Sequence, residues 1–112
     1  MPQRKTGIAP LDLKTMRRRS AEAARLLRSI ANQQRLLVLC ALTEGELSVS
    51  DLNARIDLSQ SALSQHLAVL RNEQLVSTRR EAQTIYYSLE NGIALKLLQT
   101  LHDYFCDATS SK

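Results

Sequence analysis

The pattern of apolar and polar residues predicts two helices in the first part of the chain. Apolar positions recur three or four residues apart over residues 16–31, which is typical of an amphipathic helix. A denser apolar run over residues 36–42 predicts a second helix. Asn32 is placed to cap the start of this helix, and Gly45 is placed to close its end.

Two shorter helices follow, close together. The segment Ser48–Asp51 has the pattern of a capping box, which predicts a third helix that ends near Ile56. Ser59 is placed to cap a fourth helix that ends near Asn72. Two short helices joined only by Asp57–Leu58 have the dimensions of a helix-turn-helix.

After the fourth helix the period of the pattern changes from that of a helix to that of a strand. Apolar or β-branched residues alternate with polar ones on either side of a polar segment, residues 79–84, which predicts a β-hairpin. A last helix begins near Asn91–Gly92 and carries one apolar stripe. The alternating positions are Val76, Thr78, Ile85, Tyr87 and Leu89, and the stripe is Ala94, Leu97, Leu98, Leu101, Tyr104 and Phe105.

The predicted fold is mainly α with a small β-hairpin wing, in the order α-α-α-α-β-β-α of a winged helix-turn-helix. A flexible arm of residues 1–13 and a flexible tail of residues 108–112 flank one domain of residues 14–107. With 112 residues and 44% hydrophobic content, the chain forms a thin core that a helix-rich protein often completes in an oligomer. Its longest apolar run is far short of the roughly 20 residues of a membrane span, and no signal peptide is evident. We therefore expect a cytoplasmic protein that does not enter the membrane.

Positive charge is concentrated at the start of the chain. The net charge is +4, and residues 1–35 contain nine Lys and Arg against two acidic residues. Such a basic end suits the phosphate backbone of a nucleic acid, although a solubilising tail has the same composition.

The fourth helix has the properties of a recognition helix. Leu63, Leu67 and Leu70 share one face, which we expect to pack in the core. The opposite face has no acidic residue before Glu73, and its small polar side chains can enter a major groove and contact base edges or phosphates. The alternative is an ordinary solvent-exposed helix. The residues of this outer face and its flanks are Gln60, Ser61, Ser64, Gln65, Ala68, Arg71 and Asn72.

The predicted hairpin supplies a second set of candidates. Arg79 and Arg80 lie near its tip, and arginine binds phosphate through a planar fork of donors. A basic two-stranded ribbon after a helix-turn-helix is placed to contact a flanking backbone or minor groove. We include Gln83 and Thr84 of the same segment, and His66 of the fourth helix, among the DNA-binding candidates.

Several of these motifs together resemble the ArsR family of regulators over roughly residues 16–106. Within it, the wing segment and the terminal Tyr-Phe-Cys resemble the metal-independent branch typified by HlyU, BigR and SqrR. The resemblance implies a homodimer through the first and last helices, bound to double-stranded operator DNA of imperfectly palindromic sequence, with no cofactor. The motifs are Ala31–Asn32 with Arg35–Leu36, Glu46–Leu52, Leu58–Leu67, Arg79–Arg80 and Tyr87–Leu89.

Metal ligands of the family are absent from two positions where they would be expected. Ser48 and Ser50 stand where one family site has cysteines, and hydroxyls are poor ligands for soft metals. His102 and Asp103 are adjacent on the last helix, so we expect them to point about 100° apart rather than to form the other family site. A metal-responsive repressor with an unpredicted site stays an alternative.

The two cysteines have one interpretation each when taken alone. Cys40 shares the stripe of Leu36, which predicts a small core residue, and Cys106 lies off the apolar stripe of the last helix as an incidental thiol. Together, however, they resemble the sulfur- and redox-sensing pair of the HlyU, BigR and SqrR branch. The resemblance therefore implies a regulator that is switched by oxidation or persulfidation of Cys40 and Cys106.

Two other classes of function compete with a regulator. A two-cysteine thiol redox enzyme needs an activated thiolate, whereas both cysteines lie late in their helices, where the helix dipole disfavours an anion. A protein-interaction module would not need the acid-free fourth helix or the paired arginines of the wing. The sequence therefore favours a DNA-binding regulator that is not an enzyme.

Overall fold

The computed structural model describes residues 7–90 and 92–106, and it has the predicted winged helix-turn-helix fold. The predicted order of elements is confirmed, with one short strand added before the third helix. The elements are α1 (Leu13–Ile30), α2 (Gln33–Leu42), β1 (Leu47–Ser48), α3 (Val49–Arg55), α4 (Gln60–Asn72), β2 (Val76–Glu81), β3 (Thr84–Leu89) and α5 (Gly92–Cys106).

The ends of the helices follow the capping residues. Asn32 caps α2 by accepting the backbone N–H groups of Gln34 and Arg35, each at 3.0 Å. The first helix begins at Leu13, earlier than the apolar periodicity indicated, because Asp12 caps it. The predicted arm of residues 1–13 thus includes the first residue of α1. Residues 1–6 of that arm and residues 107–112, with the predicted tail, lie outside the described residues.

The sheet has three antiparallel strands in the order β1-β3-β2. Leu47 of β1 pairs with Tyr87 of β3, a contact that a two-residue strand does not announce in the sequence. The expectation of a polar loop over residues 79–84 was wrong. Arg79 and Arg80 are paired residues of β2, and only Ala82–Gln83 separate the strands, with Ala82 at φ +56°.

One apolar cluster joins the helices to the sheet. Leu63, Leu67 and Leu70 of α4 are buried in it, as predicted, and α5 contributes Ala94 and Leu98. The apolar stripe of α5 continues beyond this cluster onto open surface. Its exposed residues are Leu101 at 38%, Tyr104 at 77% and Phe105 at 73% exposure. Among the described residues, no helix combines the length and the apolar character that crossing a membrane requires.

Candidate nucleic-acid interface

The helix-turn-helix is fixed by side-chain bonds at both of its helix starts. Ser48 accepts the backbone N–H of Asp51 at 3.1 Å, and the Asp51 carboxylate accepts the backbone N–H of Ser48 at 3.0 Å, which completes the predicted capping box. Ser59 caps α4 by accepting the backbone N–H of Ala62 at 3.1 Å. In the turn, the Asn53 amide donates to the carbonyl of Leu58 at 2.9 Å. These bonds set the angle at which α4 leaves the turn.

The outer face of α4 is open to solvent, as a recognition helix requires. Its exposed positions carry small or amide side chains and one arginine, and the helix contains no acidic residue. His66 is half-buried at the edge of this face. The exposed candidates are Gln60, Ser61, Ser64, Gln65 and Arg71, together with Ala68 and Asn72.

Part of the candidate set comes together at a groove beside the wing. A groove of about 550 Å³ opens between the starts of α3 and α4 and the tip of the hairpin. Gln60, Gln83 and Thr84 all line it, although they come from distant parts of the chain. Arg71 does not join them, because it lies at the other end of α4 beside a separate groove along β2.

Arg79 and Arg80 differ sharply in their surroundings. Successive strand residues point to opposite faces, so the two side chains leave β2 on opposite sides. Arg80 is exposed beside its cross-strand partner Ile85. On the other face, the Arg79 guanidinium lies over the ring of its partner Tyr86, with Cζ 4.8 Å from the ring centroid.

All three guanidinium nitrogens of Arg79 donate to carboxylates. Nε and Nη2 bind the two oxygens of Glu46 at 2.9 and 2.8 Å, and Nη1 binds Glu81 at 3.3 Å. The hydrogen bonds to Arg79 hold the pKa of Glu46 below its usual value, and the Glu46 and Glu81 bonds raise the pKa of Arg79. Sequence reasoning missed Glu46, since no local pattern connects residues 33 positions apart.

The basic charge of the N-terminal part becomes a stripe on α1. At 100° per residue, five exposed cations fall on one side of the helix, opposite its apolar side. One of them, Arg25, binds both carboxylate oxygens of Glu73, the C-cap of α4, at 2.7 and 3.0 Å. This pair connects α1 to the end of α4. The stripe consists of Lys14, Arg17, Arg18, Arg25 and Arg28.

Cys40 is exposed, which corrects its predicted place in the core. The buried positions of α2 are instead Val38, Leu39 and Leu42, so the core-facing side of the helix lies between the two flanks on which Leu36 and Cys40 stand. Although Cys40 is partly open to solvent, the surrounding protein desolvates its thiol and raises its pKa.

Cys106 is exposed at the last residue of α5. The charge of its thiolate is the second cause of the raised pKa of Cys40, after burial. A charge acts on a thiol in this way only at short range. The two cysteines therefore lie in the same neighbourhood, where the ends of α2 and α5 meet.

The candidate metal positions hold other roles. Ser48 is a buried helix cap, and Ser50 is exposed beside it. The expectation that His102 and Asp103 point apart was wrong, because His102 Nδ1 lies 3.5 Å from an oxygen of Asp103. Within residues 7–90 and 92–106, no group of three or more His, Cys, Asp or Glu side chains is arranged to hold a metal ion.

The chain matches known regulatory proteins in sequence. Residues 32–78 match the family model of the bacterial regulatory proteins of the arsR family. The chain is 49% identical over 100 residues to the transcriptional activator HlyU of Vibrio cholerae, covering 89% of this chain and 93% of that protein. It is 42% identical over 99 residues to a biofilm growth-associated repressor of Agrobacterium fabrum, covering 88% of this chain and 85% of that protein.

A solved structure shares the fold. The structure of reduced HlyU from Vibrio cholerae matches this chain with a TM-score of 0.78 and 48% identity, covering 83% of this chain and 98% of that one. The sequence and structure matches together confirm the resemblance that the motifs indicated.

Proposed function

Because this chain belongs to the ArsR family of bacterial regulatory proteins, we propose that it regulates transcription by binding double-stranded DNA and is not an enzyme. The observation that carries the proposal is the outer face of α4, which is exposed and free of acidic side chains. The relatives named above are an activator and a repressor of other bacteria, which supports regulation as the activity. Such a protein works where the chromosome lies, in the cytoplasm.

In the proposed complex, α4 enters the major groove. Its small Ser and Ala side chains let the helix approach the base edges of a groove about 12 Å wide. Ser64 and Gln65 lie at the centre of the exposed face, where base contacts are expected, while Arg71 and the half-buried His66 are placed for phosphates. At the wing, Arg80, Gln83 and Thr84 contact the flanking backbone or minor groove.

The proposed active form is a homodimer through α1 and α5 on an imperfect palindrome. The exposed apolar end of α5 supports this form, because one chain leaves it uncovered. A two-fold dimer presents two copies of α4 to half-sites about 34 Å apart, or one turn of the duplex.

The reading role of α4 is tested with the double variant Ser64→Ala/Gln65→Ala. The probe is an operator duplex selected by the wild-type protein from a random-sequence library, compared with a scrambled duplex of equal length. Each good base contact contributes about 1–3 kcal/mol of discrimination, so we expect the preference for the operator to fall at least about fivefold. Gln99→Ala, on the exposed polar side of α5, is the control and should leave the preference unchanged. An unaltered preference in the double variant would contradict the assignment of α4.

A redox or sulfur switch at Cys40 and Cys106 is the second part of the proposal. It is supported by the exposure of both thiols and by the influence of one on the pKa of the other. With hydrogen peroxide as oxidant, the two thiols lose two protons and two electrons to form a disulfide, and the peroxide becomes two water molecules. With a persulfide donor, one thiol takes the terminal sulfur atom and the donor leaves as a thiol.

The switch is tested by DNA binding before and after treatment with peroxide or with a persulfide donor. A link between the ends of α2 and α5 strains the helix that forms the proposed dimer interface, so we expect the treated wild type to lose operator affinity. Cys40→Ser and Cys106→Ser should each bind the operator like the reduced wild type and should each lose the response. A full response in either variant would refute the paired mechanism, and mass spectrometry of the treated protein identifies the bond formed.

A further inference from the structure

Glu46 is held in place by the backbone on both of its sides. Gly45, the residue before it, has a φ of +135°, a conformation that residues with a side chain rarely adopt. Leu47, the residue after it, pairs with Tyr87 in the sheet. The carboxylate of Glu46 is therefore a fixed acceptor, and not the end of a freely moving surface side chain.

Arg79 meets this acceptor from the wing. Its two bonds to Glu46 are the bidentate pair that a planar guanidinium forms best with a carboxylate. Glu81 and the ring of Tyr86 contact the same guanidinium. To bind a DNA phosphate, Arg79 would have to give up these contacts and leave the Glu46 carboxylate unpaired close to the polyanion.

We propose that Arg79 is a positioning residue, whose bond to Glu46 fixes the angle between the wing and the helix-turn-helix, and that Arg80 alone supplies the wing's arginine contact to phosphate. The inference rests on the proposed DNA-binding function and adds Glu46 to the residues that the function needs. The pair spans β2 of the wing and the segment that leads through β1 into α3. These are the two parts of the molecule that must contact one duplex at the same time.

The pair is suited to set an orientation without deciding whether the protein folds. The side chains of Arg79 and Glu46 are 50% and 36% exposed, and ion pairs with such exposure contribute little to the free energy of unfolding. Variants of either residue are therefore expected to fold, which thermal melting followed by circular dichroism verifies. Their effect belongs in DNA binding, where the wing must be held at one angle.

The test is the double variant Glu46→Gln/Arg79→Gln, which has the same net charge as the wild type. Its affinity is measured over a range of salt concentrations for the selected operator and for the scrambled duplex. The operator affinity should fall by about two- to fivefold, the range that one exposed ion pair can account for. The salt dependence should stay that of the wild type, because no phosphate contact is lost.

Arg80→Gln is the matched control on the opposite face of the same strand. It should weaken binding to both duplexes, and its slope of log affinity against log salt should be shallower by about 0.9, the value for one phosphate contact in each bound chain. Glu46→Gln alone should weaken operator binding as much as the double variant does, since either change breaks the same pair.

Three results would overturn the positioning role. In the first, Glu46→Gln binds the operator more tightly, as expected if a released Arg79 reached a phosphate. In the second, the double variant loses as much salt dependence as Arg80→Gln. In the third, neither Glu46→Gln nor Arg79→Gln alters operator affinity. If the wild type itself binds no duplex, the proposed function fails instead.

Discussion

Single residues in this protein are decided by which side of an element they occupy. Arg79 and Arg80 are neighbours of the same type on β2, yet one is bound by carboxylates and the other is exposed. Cys40 shows the same principle on α2. A rotation of one position from Leu39, which is buried, is enough to bring its sulfur to the surface and close to Cys106.

The reactivity of Cys40 should depend on pH in a way that reports on Cys106. Burial first, and then the Cys106 charge, raise the pKa of Cys40, so its thiolate fraction at neutral pH is smaller than that of an ordinary cysteine. The rate of alkylation of Cys40 by iodoacetamide should therefore reach its midpoint at a higher pH than that of a cysteine peptide. In Cys106→Ser the midpoint should move down, but only part of the way, because burial stays.

The measurement is peptide-resolved mass spectrometry of the alkylated protein over a pH series. Gln99→Ala changes α5 without removing a thiol, and it should have the wild-type profile. A Cys40 midpoint at or below that of the peptide, or one that does not move in Cys106→Ser, would contradict this electrostatic coupling.

At the scale of the elements, the sequence was informative where the determinant is local. The starts of α2, α3 and α4 were predicted correctly because each depends on a capping side chain two or three residues away. The short β1 was missed because its partner, β3, lies about 40 residues further along the chain and two residues have no period. The hairpin was predicted with a loop that was too long, since Arg79–Thr84 are polar although four of these six residues pair in the sheet.

The candidate site follows the same division. The outer face of α4 could be predicted from its helical period alone, because Leu63, Leu67 and Leu70 define the inner face. The ion pair of Arg79 with Glu46 and that of Arg25 with Glu73 could not, since these residues meet only after the fold has formed and are 33 and 48 positions apart. The sequence therefore shows which helix can read DNA, but not what holds the helix and the wing at a fixed angle.

At the scale of the whole molecule, the structure connects the proposed dimer helices to the DNA-reading helix. Arg25 joins α1 to Glu73 at the end of α4, and Ala94 and Leu98 of α5 pack in the same core cluster as α4. A displacement of α1 or α5 is therefore transmitted to α4. In a dimer, such a displacement changes the spacing of two recognition helices that must match half-sites about 34 Å apart.

The dimer itself is best tested at Leu101. Leu98 is buried in the core of its own chain, so a polar residue there would disturb folding, whereas Leu101 is 38% exposed and belongs to the uncovered end of the stripe. In Leu101→Glu, dimerisation would bury an unpaired carboxylate at a cost of several kcal/mol. We expect this variant to sediment as a folded monomer and to lose operator binding.

Gln99→Glu places the same charge on the opposite side of α5 and provides the matched control. Because that side is polar and exposed, the control should sediment as a dimer and retain operator binding. Circular dichroism establishes that both variants keep the helical content of the wild type. If Leu101→Glu is folded and still sediments as a tight dimer, the proposed interface is wrong, and the exposed end of α5 needs another partner. If it is a folded monomer that binds the operator as tightly as the wild type, dimerisation is not what sets the spacing of the recognition helices.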